Sequence, residues 1–360
     1  MDVILDGTPL LGPRTGIGQY VAHLYQALRT RPDVVPRLYA FTIRHGSRPV
    51  DVQPGDWVRR TAPARILQRT WAATAWPPAE LLLPSGDVLH ATNFTGPPAR
   101  RTPRVVTVHD LAFSRLPGTV HQRTRRLSGL IEDQAATAAA VLTPTHAVRD
   151  EVVEHLALDP GRVHVTPLGV DPSWSRARPP TQAWRAENGV PADYLLAVGT
   201  QEPRKNLTAL VQAHAAAGRS RVLPLVVVGP AGWGDVVRPS QDVVVLPYQP
   251  AETLRSLVAG AAALVFPSLY EGFGLPVLEA LAAGTRVLAN DIPPLREVLG
   301  PCADLVDATD IEALSAALVA VSAAGKDEEA RQRGRERAAT FTWGACAEAT
   351  VQAYRRALVG

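Results

Sequence analysis

The sequence predicts an α/β protein of two doubly wound, Rossmann-like domains, and three features predict it. Short apolar runs alternate with helix-patterned segments through both halves of the chain. Several runs, such as PLVVVGP (Pro224–Pro230), are apolar throughout, as strands of a parallel sheet covered on both faces must be. The chain has 360 residues, more than the ~250–300 at which a single core stops growing.

Taken in order, DVILD (Asp2–Asp6) reads as the first strand. GTPLLGPRTGIGQYVAHL (Gly7–Leu24) then sets a Gly-rich turn before an amphipathic helix over GQYVAHLYQALRT. Gly16 and Gly18 stand at its start, where free N–H groups can meet a phosphate. The stretch is not a full GxGxxG and carries no P-loop lysine, so a flexible helix entry is the simpler reading of these glycines alone. Strands are predicted at RLYAFTI, DVLHAT, RVVTVHD, AVLTPT and RVHVTPLGV. RVVTVHD delivers His109 and Asp110 just past a strand, where sheets of this class bind ligands. A histidine there can bond a substrate hydroxyl or steady charge; a hydrogen-bonded structural histidine is the alternative.

DPSWSRARPPTQ (Asp171–Gln182), rich in Pro and Ser, marks the domain boundary. It divides the chain into 1–172 and 173–342, with a last helix, WGACAEATVQAYRRAL, inside 343–360. The second half carries strands at YLLAVGT, PLVVVGP, DVVVLPY, AALVFPS, TRVLAND and ADLVD, with helices at LTALVQAHAAA, TLRSLVAGA, LPVLEALAA and DIEALSAALVAV. A cleft between the two domains is the expected site. In AVGTQEPRKNLTALVQAH a strand ends in Gly199, and Arg204 and Lys205 stand directly before a helix that Asn206 or Thr208 can cap. Two adjacent cations there concentrate positive potential where a diphosphate would lie; a solvated basic turn is the plainer alternative. Pro230, in VVVGPAGWGD, and Tyr248, in LPYQPAETLRSL, can line a nucleotide base or simply make turns.

YEGFGLPVLEALAAG (Tyr270–Gly284) reads as a tight loop leading into a helix start. Pro276 fits a first helical turn, and Gly272 and Gly274 let the backbone approach a ligand closely. Glu271 lies on the loop and Glu279 near the same helix end. Two carboxylates beside an anion site make sense if the ligand also carries hydroxyls, since a carboxylate accepts from them. A helix-start glutamate plus a solvated one explains the pair equally well.

Composition narrows the classes. A net charge of +3 does not imply nucleic-acid binding. Two cysteines, Cys302 and Cys346, exclude a disulfide framework or zinc cluster and fit a reducing cytoplasm. No signal peptide and no spanning segment are expected. There is no D-x-D pair, HExxH or His/Cys cluster, so no metal site is expected. From Arg100 to Arg126 there are seven arginines and one acid, and Trp57, Trp71 and Trp76 lie in an acid-free stretch nearby. Such a surface can rest on anionic lipid at the inner face of the cell membrane, or be a solvated face.

Together these motifs resemble the retaining glycosyltransferases of family four, with their GT-B architecture of two Rossmann-like domains. The resemblance spans nearly the whole chain, through TGIGQYVAHL, VVTVHDLAF, VLTPTHAVRDEVVEHL, RVHVTPLGVD, VGTQEPRKNLTALVQA, VFPSLYEGFGLPVLEALAAGTRVLAND and DATDIEALSAAL. EPRKN is similar to the mannosyl- and rhamnosyltransferases of surface-polysaccharide pathways. The resemblance implies a nucleotide-sugar donor, GDP-mannose first, then dTDP- or GDP-deoxysugars, then UDP-hexoses. It implies no other cofactor and an acceptor that is a glycan, a lipid-linked saccharide or a natural product. It further implies that Gly16 and Gly18 border the diphosphate and acceptor, that His109 faces the transferred sugar, and that Gly199, Arg204 and Lys205 serve the diphosphate. Glu271 would contact the sugar hydroxyls, the N–H groups of Phe273, Gly274 and Leu275 sugar and phosphate, and Glu279 the ribose. The terminal helix would pack back on the first domain. Where many relatives carry an arginine after the glycine of this basic segment, this chain has Thr200 after Gly199, and Arg204 would take over that cation's task. A GT-B epimerase and a non-catalytic sugar-nucleotide- or glycan-binding protein are the rival readings; a phosphorylase with pyridoxal phosphate is a third, for which the chain lacks length and an obvious Schiff-base lysine.

Overall fold

A computed structural model of the chain describes residues 1–12, 14, 16–43, 48–119, 128–325 and 327–359. They form two compact units: residues 1–111, 126–169 and 342–360 in the first, and 112–125 and 170–341 in the second.

The first unit holds a seven-stranded parallel sheet in the order β3-β2-β1-β4-β5-β6-β7. The strands are β1 (Asp2–Asp6), β2 (Val35–Phe41), β3 (Trp57–Arg60), β4 (Val88–Ala91), β5 (Arg104–Thr107), β6 (Ala140–Thr143) and β7 (Val163–Val165). The second holds a six-stranded parallel sheet, β10-β9-β8-β11-β12-β13. Its strands are β8 (Leu195–Val198), β9 (Leu225–Val228), β10 (Val243–Leu246), β11 (Ala263–Phe266), β12 (Arg286–Asn290) and β13 (Asp304–Val306). β4, β6, β9 and β11 are buried at every residue, because helices cover both faces of each sheet. In each sheet the chain winds outward, then returns beside its first strand, so the order reverses between β1 and β4 and between β8 and β11. Loops leaving the carboxyl ends of such neighbours splay apart and open a crevice.

The strand expected at RLYAFTI starts and ends two residues earlier, over Val35–Phe41. β3 is absent from the expected set. It is an edge strand, WVRR, none of whose residues is fully buried, so it has no apolar run to announce it.

The helix Trp343–Val359 belongs to the first unit and docks there through a buried polar chain. The Tyr354 hydroxyl lies 2.6 Å from His90 Nδ1, His90 Nε2 lies 2.7 Å from the Thr107 hydroxyl, and Tyr20 closes on that hydroxyl at 3.1 Å. Burial pushes the His90 pKa down to about 3, so the ring is neutral.

Of the three tryptophans expected to present an aromatic surface, only Trp76 is exposed, with the Arg100 guanidinium 5.4 Å from its ring centroid. Trp71 is buried and its indole N–H donates to the Pro77 carbonyl, while Trp57 sits half-buried in β3. Arg104 is likewise turned inward, donating to the Gln134 carbonyl and the Thr137 hydroxyl. Arg123, Arg125 and Arg126 lie outside the described residues. Among the described residues no helix is long and apolar enough to cross a membrane.

Candidate active site

The site grows from the two strands that flank the reversal in the second unit. After β8 the chain turns at Gly199, whose φ of +151° suits glycine. The neighbouring strand exit carries Gly229, where an added Cβ would stand 1.9 Å from the Gly199 carbonyl oxygen. Glycine at 229 therefore lets the two exits lie against each other. The chain then makes a short 3-10 turn, Pro203–Lys205, whose last residue donates its N–H to the Glu202 carbonyl at 2.9 Å. Asn206, at φ +54°, passes the chain into the helix Leu207–Ala217. The expected cap is not made. The Asn206 amide donates instead to the Ala308 carbonyl at 2.9 Å, and Thr208 lies inside the helix.

After β11 the loop Pro267–Gly274 brings Glu271 against these cations. Lys205 Nζ lies 2.6 Å from Glu271 Oε1, and Arg204 Nη1 lies 3.1 Å from Oε2. Arg204 also donates to the Tyr270 carbonyl and to Glu202 Oε1, each at 2.7 Å. The Lys205 ammonium stands 4.8 Å from the Phe266 ring centroid. Burial would raise the Glu271 pKa, but Lys205 and Arg204 overcome it and hold the carboxyl at about 2. The free positive potential expected of Arg204 and Lys205 is thus balanced: two cations face two carboxylates. The reason is tertiary, since Glu271 is 66 residues away from Lys205. Glu202, next to Pro203 in the EPRKN stretch, is the residue that sequence reasoning passed over. A carboxylate two positions before an arginine was the available signal.

Gly274 has φ +87°, and an added Cβ would stand 2.6 Å from Leu295 Cδ2. It leads into the helix Leu275–Ala282, with Pro276 in its first turn. Among the described residues, the N–H groups of Phe273, Gly274 and Leu275 have no hydrogen-bond acceptor. Three consecutive unpaired donors at a helix start form an anion cradle. Glu279 lies one turn on, and its carboxylate makes no hydrogen bond or ion pair with the described residues. Burial pushes its pKa up to about 8, partly opposed by Arg255 and reinforced by Asp171.

The second unit thus brings Gly199, Arg204, Lys205 and Glu271 together, with Phe273, Gly274, Leu275 and Glu279 along the same loop and helix start. Pro230 and Tyr248 are exposed beyond β9 and β10. Gly16, Gly18 and His109 belong to the first unit. Gly18 has a packing reason to be glycine, since a Cβ there would meet the Pro9 carbonyl oxygen at 3.1 Å. His109 is buried two residues past β5, packed edge-on against Tyr20 and Phe94. Its Nε2–H donates to the Thr92 carbonyl at 2.8 Å. Burial lowers its pKa, which leaves a neutral ring with Nδ1 as acceptor.

Residues 14–174 match the family described as Glycosyltransferase Family 4, and residues 181–340 match Glycosyl transferases group 1. Alpha-maltose-1-phosphate synthase of Mycolicibacterium smegmatis is 33% identical, over 71% of this chain and 73% of that protein. This chain belongs to the family-4 glycosyltransferases. O-antigen chain mannosyltransferase B of Escherichia coli is 28% identical, over 99% of this chain and 100% of that protein. Sucrose-phosphate synthase of Thermosynechococcus elongatus shares the fold at a TM-score of 0.73 and 20% identity, over 99% of this chain and 98% of that one. The glycosyltransferase is therefore an enzyme that transfers sugar, and its two parallel-sheet units are those of the GT-B class.

Proposed function

We propose that the enzyme transfers mannose from GDP-mannose to a saccharide or lipid-linked saccharide acceptor, with retention of anomeric configuration and without a metal ion. The observation that carries a sugar-nucleotide donor is the start of the Leu275 helix. There three unpaired N–H groups adjoin a carboxylate that lacks a partner and another that is clasped by two cations. The N–H groups suit the diphosphate, and Glu279 suits the ribose hydroxyls, which donate to it. Glu271 keeps lone pairs for the hydroxyls of the transferred sugar, since each of its oxygens receives one cation. Mannose is favoured by the likeness to the Escherichia coli mannosyltransferase over its full length.

In this reading the bond between the sugar and the diphosphate breaks as the acceptor hydroxyl attacks from the same face. The developing charge on the departing nucleoside diphosphate meets the Lys205 ammonium and the helix start, and these make a metal ion unnecessary. Arg204 acts mainly by orienting Glu271, because its guanidinium is committed to Tyr270, Glu202 and Glu271. Placing the His109 ring beside the transferred sugar rests on the family resemblance alone, and contact with an anionic membrane surface rests only on the arginine-rich composition of Arg100–Arg126.

Thermal unfolding with GDP, UDP, dTDP and ADP tests the donor. A ligand at 100 times its dissociation constant adds ~2.7 kcal/mol, which moves the midpoint by about 5–10 °C in a domain of this size. A shift with GDP alone supports GDP-mannose. A shift with UDP or dTDP alone moves the donor to a UDP-hexose or a deoxysugar nucleotide. No shift with any of the four refutes the nucleotide site.

A further inference from the structure

Lys205 and Glu271 lie past the ends of β8 and β11, and the sheet does not hold those ends together. β8 stays in register with β9 as far as Val198–Val228, and β11 with β12 as far as Phe266–Ala289. Between β8 and β11 the register covers Leu195–Ala263 and Leu196–Leu264, so the last two residues of each strand run on beyond it. Exits that part in this way open a crevice, and they leave the spacing of Lys205 and Glu271 to other bonds. One is direct: the Leu269 N–H donates to the Arg204 carbonyl at 2.9 Å. The other is a relay. The Asn206 amide N–H donates to the Ala308 carbonyl, the Ala308 N–H donates to Asn290 Oδ1, and the Asn290 amide N–H donates to the Ser268 carbonyl, each at 2.9 Å. The relay joins the residue directly after Lys205 to the loop that carries Glu271, by way of the exits of β12 and β13.

The residue types suit such a relay. Ser268, Asn290 and Ala308 are buried, so water does not compete for their bonds. Asn290 uses both ends of its amide, the oxygen toward an N–H and the nitrogen toward a carbonyl, a pairing that an ionised aspartate, which only accepts, cannot reproduce. Asn206 sits at φ +54°, a conformation that asparagine tolerates better than most residues. We propose that Asn206 and Asn290, joined through Ala308, are positioning residues that hold Lys205 against Glu271 in the arrangement the transfer step needs. Reacting groups have to be held within ~0.5 Å of their productive geometry, which requires that the groups behind them be locked as well. A chain of bonds between buried amides is stiffer than a long lysine side chain left to its own rotamers. The effect on turnover rests on the transferase reading above; the effect on the Lys205–Glu271 pair does not.

Two neutral substitutions in the full chain test this: Asn290→Ala, and Asn206→Gly, which suits the positive φ and removes only the amide. Release of nucleoside diphosphate from GDP-mannose, UDP-glucose and dTDP-rhamnose, with a mannobiose as acceptor, gives kcat and donor KM. Thermal melts across acid pH give the pH at which stability begins to fall. Among the described residues, Lys205 and Arg204 are the charged groups on Glu271, with Glu202 on Arg204. A looser pair lets the Glu271 carboxyl rise from about 2 toward its ordinary value, so the acid limb starts at higher pH. The expected result in both variants is a kcat lower by about tenfold or more, a donor KM changed by less than about threefold, and an acid limb moved to higher pH. In a Lys205→Ala background either substitution should lower kcat by less than about twofold further, because it acts through that ammonium. A parent-like kcat or a parent-like acid limb, even with a lower melting temperature, overturns the positioning role and leaves the amides as packing. A kcat loss undiminished without Lys205, or a raised KM with kcat unchanged, overturns it too. If Asn290→Ala loses its cooperative melt, Asn206→Gly decides by the same criteria. If the parent turns over none of the donors, the acid limb decides the positioning role by itself. If, in addition, neither GDP, UDP, dTDP nor ADP shifts the parent's melt, the transferase reading falls independently.

Discussion

Replacing Lys205 by alanine removes the cation that lies 2.6 Å from Glu271 and, in the proposed mechanism, the one that meets the departing diphosphate. The two roles have separable magnitudes. For stability, Glu271 is buried and its carboxyl is held near 2 instead of the ordinary 4.5. At ~1.36 kcal/mol per pH unit, that difference is worth about 3 kcal/mol. The sign follows from the lowered value: the stabilisation is full above pH 4.5 and is lost as pH falls through about 2. Without Lys205 the carboxylate keeps Arg204, at 3.1 Å, as its remaining cation among the described residues, so the variant should lose up to ~3 kcal/mol, or about 6–12 °C of melting temperature. Its acid limb should also begin at higher pH. For chemistry, one preorganised charge donor is worth ~2.7–4 kcal/mol in the transition state, a loss of roughly two to three orders of magnitude in kcat. The double variant Lys205→Ala with Glu271→Gln separates the two: it removes the poorly compensated buried charge, so most of the melting temperature returns while kcat stays low. The assay is release of nucleoside diphosphate with acceptor present, beside a thermal melt at pH 7. A kcat loss under tenfold with the donor still bound would refute the phosphate role, and a single variant that melts like the parent would refute the buried ion-pair reasoning.

Glu279, with its pKa raised to about 8, is mostly protonated at pH 7; ribose hydroxyls donating to it would favour the carboxylate. Nucleotide binding should therefore release a fraction of a proton, seen as a difference in calorimetric enthalpy between PIPES and Tris buffers, and Glu279→Gln should abolish that difference. Because the folded-state value is raised, the stability linked to Glu279 is full below pH 4.5 and lost as pH rises through about 8, so Glu279→Gln should flatten the melting temperature across that window. Gly229→Ala should destabilise by about 2–4 kcal/mol in a thermal melt, because its Cβ would stand 1.9 Å from the Gly199 carbonyl oxygen. A parent-like melt would mean that the two strand exits are not in close contact. Transfer should change less than about twofold in excess EDTA if Lys205 and the helix start carry the charge; a large loss restored by a divalent ion would refute the metal-free mechanism.

Much of the fold was legible because parallel strands covered on both faces must be apolar at nearly every residue. β4, β6, β9 and β11 are such strands. β3 was not legible: at the sheet edge, WVRR needs no apolar run. Within the site, the sequence by itself determined what is local. The Gly274 turn, the Pro276 helix start and the spacing of Glu271 and Glu279 follow from backbone preferences acting over a few residues. The tertiary structure alone decided the charge balance. β8 and β11 are neighbours only because the sheet reverses its order there, and that reversal sets Lys205 and Arg204 against a carboxylate 66 residues from Lys205. It also turned the Asn206 amide away from the helix it was expected to cap, toward the Ala308 carbonyl. Pairings of this kind depend on which loops the sheet order brings together, and no local propensity encodes that order.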